Sequence, residues 1–263
     1  MTGPASPAAP DGPVARRVRR AVLAALGTEG AHGERSAAVK NLVDHWGTPG
    51  RLWPLVAELA EGGGDPVGCA RRSYPHVLGF DKLLLLDGGP AFMLRAHLWH
   101  PGDASSRSRE DIHNHRCALG SRVVCGTLGM ALYEPCPDGG IPTFHFREAP
   151  GPARSDWCFT PVGPARLRLV HTARYGTGSS YLLPPRTLHQ AWNEEPGGTV
   201  TLYLEPGHDP ATPTDVYAVS PERAAVTGKP PFTVGEYLAR LAGLERLLRP
   251  CSGAPPGEPK RRA

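Results

Sequence analysis

Three stretches near the start of the chain, RRVRRAVLAALG, SAAVKNLVDHWG and RLWPLVAELAEGGG, repeat apolar residues at steps of three and four. That period puts the apolar side chains on one helical face, so it predicts two or three helices within residues 16–79. From about Asp81 the texture changes. KLLLL, AFMLRAHLW, SRVVCGTLGMALYE, RLRLVHT, SSYLLP and TVTLYLEP are short apolar or alternating runs between Gly and Pro, the pattern of strands. Helical spacing returns in TVGEYLARLAGLERLL, with Thr233 placed as an N-cap and Pro250 as a stop. The pattern therefore predicts helices, an antiparallel β region over 80–222 and one helix within 223–250, without an internal repeat. The segment from Pro135 to Pro164 exceeds an ordinary hairpin loop. It reads either as a surface excursion with a small hairpin or as a lid over a pocket.

Composition sharpens this plan. The 32 Gly and 30 Pro are nearly a quarter of 263 residues, which favours many turns and short strands over long helices. That length suits one elaborated domain. The net charge of +4 resides in the ends: residues 1–20 and 249–263 carry +3 each, over a body of −2. Both ends are rich in Pro, Ala or Gly, so 1–15 and 251–263 read as disordered, solvated tails and not as arms for nucleic acid. The apolar run Ala21–Leu26 is shorter than the ~7–15 residues of an export segment, and no stretch approaches the ~18 of a membrane span. A cytoplasmic protein is expected. Six cysteines without a CxxC pair predict reduced thiols and no zinc knuckle.

Candidate chemistry lies in EDIHNHRCALGSRVVCGTL. Successive side chains on a strand alternate faces, so His113 and His115 share one side and Asn114 points away. The spacing suits two cis ligands on one metal, although such a pair by itself fits solvated or hydrogen-bonded histidines equally well. Further on, GSSYLLPPRTLHQAWN places Gly178, Pro184, His189 and Asn193 at intervals of five, four and three residues. With both halves present in order, the chain resembles the cupins, small antiparallel β-barrels that bind a metal through two such motifs. His113, His115 and Gly126 match the first motif; Gly178, Pro184, His189 and Asn193 match the second, with Arg186 in place of its inner Gly. The resemblance implies a mainly β cupin barrel (double-stranded β-helix or jelly roll) and a three-histidine metal site.

The first motif's carboxylate would fall at Leu119 or Gly120, neither of which binds metal. Three histidines alone resemble the thiol dioxygenases, the cysteine dioxygenase family of cupins. That likeness, over about 74–206, implies Fe(II), with Ni(II) admitted by ligand type, and O₂ plus L-cysteine or a related small thiol as substrates. It places Thr201, Tyr203 and Glu205 at the family's outer-sphere Ser, His and Tyr, and Gly120 where bacterial members carry Gly instead of a crosslinking Cys. The slot of the carboxylate-binding Arg falls on His76, with Arg71, Arg72 or Lys82 as replacements. Glu205 is expected to face the pocket, as a base or a repulsive charge, or else to sit in a rim salt bridge. Cys117 shares parity with the histidine pair and lines the pocket or packs as a small hydrophobe. His97, His100, His145 and His171 read as structural or surface residues, and Trp192 as packing outward against a helix. With ordinary imidazoles, metal affinity should weaken below about pH 6. An enzyme for an oxygen-chelating molecule and a non-catalytic binding barrel are the alternatives; no helix-turn-helix pattern supports a regulator.

Overall fold

The three apolar repeats at the start of the chain become α1 (Pro13–Leu26), α2 (His32–Trp46) and α3 (Pro49–Ala60), and a short fourth helix that the pattern did not predict, α4 (Pro66–Arg71), follows. The computed structural model describes residues 11–27, 32–76, 79–101, 111–151, 156–207 and 214–249, so the expected tail at 251–263 lies outside the described residues. Part of the expected N-terminal tail is helical. α1 starts at Pro13, where a missing N–H costs nothing, and the Glu58 carboxylate of α3 accepts from the Val14 and Ala15 amides at 2.8 Å each. No local sequence signal announces a cap donated from 44 residues away.

Strands follow from residue 74. β1 (Tyr74–His76), β2 (Phe80–Asp87), β3 (Phe92–Trp99), β11 (Thr199–Pro206), β5 (Leu119–Cys125) and β9 (Ser180–Leu183) form one antiparallel sheet in that order. The other runs β13 (Val226–Gly228), β8 (Asp156–Gly176), β6 (Thr127–Pro135), β10 (Leu188–Asn193), β4 (Ile112–His113), β12 (Thr214–Ala218) and β7 (Ile141–Pro150). The outer face of the first sheet packs on the helices: Leu83, Leu94, Ala96, Leu202 and Leu204 meet Val18, Val43, Leu55 and Leu241 in one apolar layer. Its inner face meets the second sheet through Phe80, Trp99, Leu119, Val123, Met130 and Tyr203. The result is a mainly β architecture of two antiparallel sheets, with helices before them and one helix after among the described residues, as the resemblance implied.

That last helix, α5 (Val234–Leu248), starts where expected, in a capping box. Thr233 Oγ accepts from the Glu236 amide, and the Glu236 carboxylate accepts from the Thr233 amide at 2.8 Å. Tyr237 donates to the Leu84 carbonyl at 2.7 Å and Arg240 bridges to buried Asp81 at 2.7 Å, locking α5 to β2.

The described part of the Pro135–Pro164 segment is a long hairpin, the first of its two expected readings, with residues 152–155 outside the described ones. β7 pairs with β8 from Ile141↔Leu167 to Pro150↔Trp157, with the register slipping at His145/Phe146. Proline reads as loop in a local scan, yet strand edges and bulges, where an N–H is not needed, accommodate it. Trp192 lies over Gly129 of β6, where an added Cβ would meet its indole at 2.3 Å, and its indole N–H donates to the Glu194 carboxylate at 2.8 Å.

Candidate metal centre

β4 and β10 run antiparallel with His113 directly opposite His189, and His115 follows as the chain leaves β4. The rings converge, with centroids 5.0 Å apart for His113–His115, 4.5 Å for His113–His189 and 5.0 Å for His115–His189. One ligand nitrogen from each lies within 4.8 Å of the others. His113 Nδ1 faces the Asp111 carbonyl at 2.9 Å and His189 Nδ1 the Thr187 carbonyl at 3.2 Å. A carbonyl only accepts, so both Nδ1 atoms carry hydrogen and each Nε2 keeps its lone pair. Burial, followed by repulsion from His113, pushes protonation of His189 down to about 3 and that of His115 well below the usual imidazole range. Two imidazoles oriented by carbonyls and a third beside a phenol hydroxyl offer the nitrogen donors a divalent metal takes, and the set fits one.

Backbone geometry holds these rings in place. Arg186, in the motif's glycine slot, has φ of +64° and is the single non-glycine residue with positive φ among those described. Its N–H donates to the His115 carbonyl at 3.1 Å, so the slot keeps the left-handed turn even though the glycine is gone. Gly126 has φ of +86°, and a Cβ there would meet the Gly198 carbonyl at 2.7 Å. Asn193 holds a turn: its side chain donates to the Glu195 carbonyl at 2.8 Å and accepts from Thr199 Oγ at 2.7 Å. Asn114, pointing away from the triad, exchanges hydrogen bonds of 2.9 Å with Asp215 of β12.

Leu119, in the carboxylate slot, is buried beside Phe80 and Trp99, so that position supplies no fourth ligand. Gly120 belongs to the opposite face. A Cβ on it would meet Val39 Cγ1 at 2.8 Å, so this glycine admits α2 against β5 and does not border the metal site as the family comparison implies.

Thr201, Tyr203 and Glu205 share the inner parity of β11. Tyr203 Oη lies 3.5 Å from His115 Nδ1, and its ring is 4.8 Å from that of His97. Burial first, then the Glu205 charge, holds the phenol well above its usual range, so it keeps its proton. Thr201, 2% exposed, stands opposite His97 on β3 and Val123 on β5. Burial and Glu205 also push the Cys117 thiol up to about 12, which leaves it a neutral neighbour of Tyr203 and Glu205.

His76 stacks on Phe80 at 4.5 Å and meets Trp157 edge-on at 4.9 Å, with its Nδ1 buried and unpartnered. Arg72 is half-exposed and paired with Asp87; its backbone carbonyl accepts from Arg95 at 3.3 Å. Arg71 is exposed. His100 pairs with Asp81 at 3.2 Å, His145 with Asp215 at 2.8 Å, and His171 is exposed, so none of the three joins the triad. His97 lies deeper than the sequence reading placed it, buried against Phe80 and Tyr203 with Nε2 unpartnered. The available signal was two polar residues, Arg95 and His97, one residue apart in the otherwise apolar strand AFMLRAHLW.

No family model and no curated protein matches the chain. Among solved structures, an RmlC-like cupin from Shewanella frigidimarina is 16% identical, over 51% of this chain and 82% of its own, with a TM-score of 0.32. KdgF from Halomonas sp. is 17% identical over 52% and 87%, at 0.31. Hydroquinone 1,2-dioxygenase from Sphingomonas sp. TTNP3, with 4-hydroxybenzoate bound, is 10% identical over 49% of this chain and 66% of its own, at 0.31. At these values no substrate or activity transfers to this chain; what they share with it is a likeness of fold.

Proposed function

We propose that this protein is a mononuclear, metal-dependent dioxygenase that oxidises the sulfur of a small thiol, L-cysteine or a relative, with O₂. The observation that carries the reading is the convergence of half-buried His113 and His115 with buried His189, one ligand nitrogen of each within 4.8 Å of the others and no carboxylate at the first motif's slot. A divalent metal held there, Fe(II) foremost and Ni(II) next on ligand type, supplies Lewis acidity that favours the thiolate and redox access to O₂. Both oxygen atoms end on sulfur, which loses four electrons to them, so no external reductant enters.

The chain's own groups supply the surroundings. The Asp111 and Thr187 carbonyls fix two ligand rings, and Tyr203 contacts the third. Because its phenol keeps its proton, Tyr203 serves as a hydrogen-bond donor to a substrate oxygen. Thr201 and Glu205 flank it on the same strand face, and Cys117, held as a thiol, does not compete with substrate sulfur for metal. Phe80, Trp99, Leu119 and Val123 keep water from this end of the barrel.

Metal analysis of protein purified without a His tag should find one ion per chain, and His115→Ala should lose metal and turnover together. A His115→Ala variant that sheds metal yet keeps full activity overturns the assignment. Oxygen uptake should respond to thiols and not to enediols or diketones; the reverse pattern assigns the site to an oxygen-chelating substrate. Substoichiometric metal with no O₂ consumption makes the barrel a binding module.

A further inference from the structure

Two of the three converging histidines depend on the shortest strand among the described residues. β4 is two residues long, and its ladder consists of one pair with β10, His113↔His189, and two with β12, His113↔Val216 and Ile112↔Tyr217. His115 lies beyond its end. His189, by contrast, sits in the six-residue β10, paired along its whole length with β6. So short a ladder leaves the placing of His113 and His115 to the side chains that flank them.

Asp111 precedes β4. Its carbonyl accepts from His113 Nδ1 at 2.9 Å, and its carboxylate pairs with the guanidinium of Arg223, 112 positions further along the chain. Arg223 is itself held: its guanidinium carbon lies 3.9 Å from the Phe159 ring centre and 6.0 Å from that of Phe146, and the nearby Ala225 carbonyl accepts from the Phe159 amide at 2.8 Å. Both rings are buried with Val216, the β12 neighbour of His113. Asn114, 5% exposed, lies between the two ligands and is fixed at three atoms by Asp215: its side chain donates to the carboxylate and accepts from the amide at 2.9 Å each, and its own amide donates to the carbonyl at 3.2 Å. The other carboxylate oxygen of Asp215 accepts from His145 Nε2 at 2.8 Å, and the His145 ring stacks on Tyr217 at 4.6 Å. Asp215 therefore ties Asn114 to β12 and β7 together.

We propose that Arg223 and Asp215 are positioning residues of the metal centre: Arg223 sets the His113 ring through the Asp111 carbonyl, and Asp215 sets the spacing of His113 and His115 through Asn114. This deepens the metal-centre reading and rests on it. A hydrogen bond to one ring nitrogen decides which nitrogen carries hydrogen and where the other points, and loss of such support costs about 10- to 100-fold in metal affinity. The two carbonyl-oriented rings differ in what stands behind them. His189 takes its direction from the Thr187 carbonyl just before its own strand, so removing Arg223 disturbs His113 and spares His189. At Asp215 the point is the number of acceptors: a carboxylate offers one oxygen to Asn114 Nδ2 and the other to His145 Nε2, whereas an amide offers a single acceptor oxygen to both.

Long-range proton–nitrogen NMR spectra of the metal-free full chain at pH 7 read each ring's tautomer. In the parent, His113 and His189 should both carry hydrogen on Nδ1. Arg223→Met, which keeps the side chain's length and its packing on Phe159, should mix the tautomers of His113 and leave His189 as it was; a change in both rings together, or in neither, would overturn the role of Arg223. Co(II) titrations give the second readout. Arg223→Met and Asp215→Asn should each weaken Co(II) binding at least about tenfold with circular dichroism unchanged. Asp111→Ala, which keeps the carbonyl and removes the carboxylate, should match Arg223→Met, and the double variant should lose no more than either alone, because both break one pair. Additive losses, or variants that bind Co(II) like the parent, count against the proposal. If Arg223→Met does not fold, Asp111→Ala carries both measurements. Co(II) uptake by the parent is read separately: its failure sinks the metal reading while the tautomers still decide the role of Arg223, and full uptake with unchanged variants sinks the positioning role alone.

Discussion

Arg186 shows how a single residue departs from a motif while its conformation persists. With φ at +64°, its side chain carries the strain that glycine avoids, about 1–2 kcal/mol, part of which glycine's larger unfolded-state freedom takes back. Arg186→Gly is therefore expected to raise unfolding stability by about 1 kcal/mol, measured in urea, because the N–H to the His115 carbonyl is retained. At His189 the effect depends on pH. An unfolded imidazole takes its proton near 6.5, whereas folded His189 resists down to about 3, so between these values the unfolded chain binds more protons. Metal-free protein should lose stability as pH falls through that window, and His189→Gln should flatten the slope.

At the level of elements, cap and contact decide where helices sit. Thr233→Ala removes the Oγ acceptor that begins α5 and should cost about 1 kcal/mol in thermal or chemical unfolding. Gly120→Ala should cost more, about 1–3 kcal/mol, since its Cβ meets the Val39 side chain at 2.8 Å and backbone carbonyl at 3.2 Å and pushes α2 off β5. A near-neutral Gly120→Ala would mean that α2 yields without loss. The helical periods in the sequence located α1, α2, α3 and α5 because a 3.6-residue repeat is a local property. The length of the β7–β8 pairing was hidden, because its partner residues lie 7 to 26 positions apart and its prolines mimic loop chemistry.

For the whole molecule, the triad joins two halves of the second sheet, so a bound metal should stabilise the barrel as well as serve its chemistry. With free metal at a hundredfold its dissociation constant, native-state binding adds about 2.7 kcal/mol. Scanning calorimetry with and without a chelator should therefore show a lower melting temperature once metal is stripped. Identical transitions would mean that the native state does not hold the ion. His115→Ala should melt at one temperature whether or not chelator is present.

The sequence by itself determined the class of architecture and singled out the three histidines that converge, since periodicity and motif spacing are written along the chain. It also marked Thr201, Tyr203 and Glu205 as one strand face, because alternation is local. Only the tertiary structure decided that Gly120 faces a helix, that Arg72 is paired at the surface, that His76, Trp157 and Lys229 cluster, and that His97 packs on Tyr203, the neighbour of His115. Those residues come from β1, β3, β8 and the β13 segment, and which charges face one another across a barrel depends on pairing registers that no local pattern encodes.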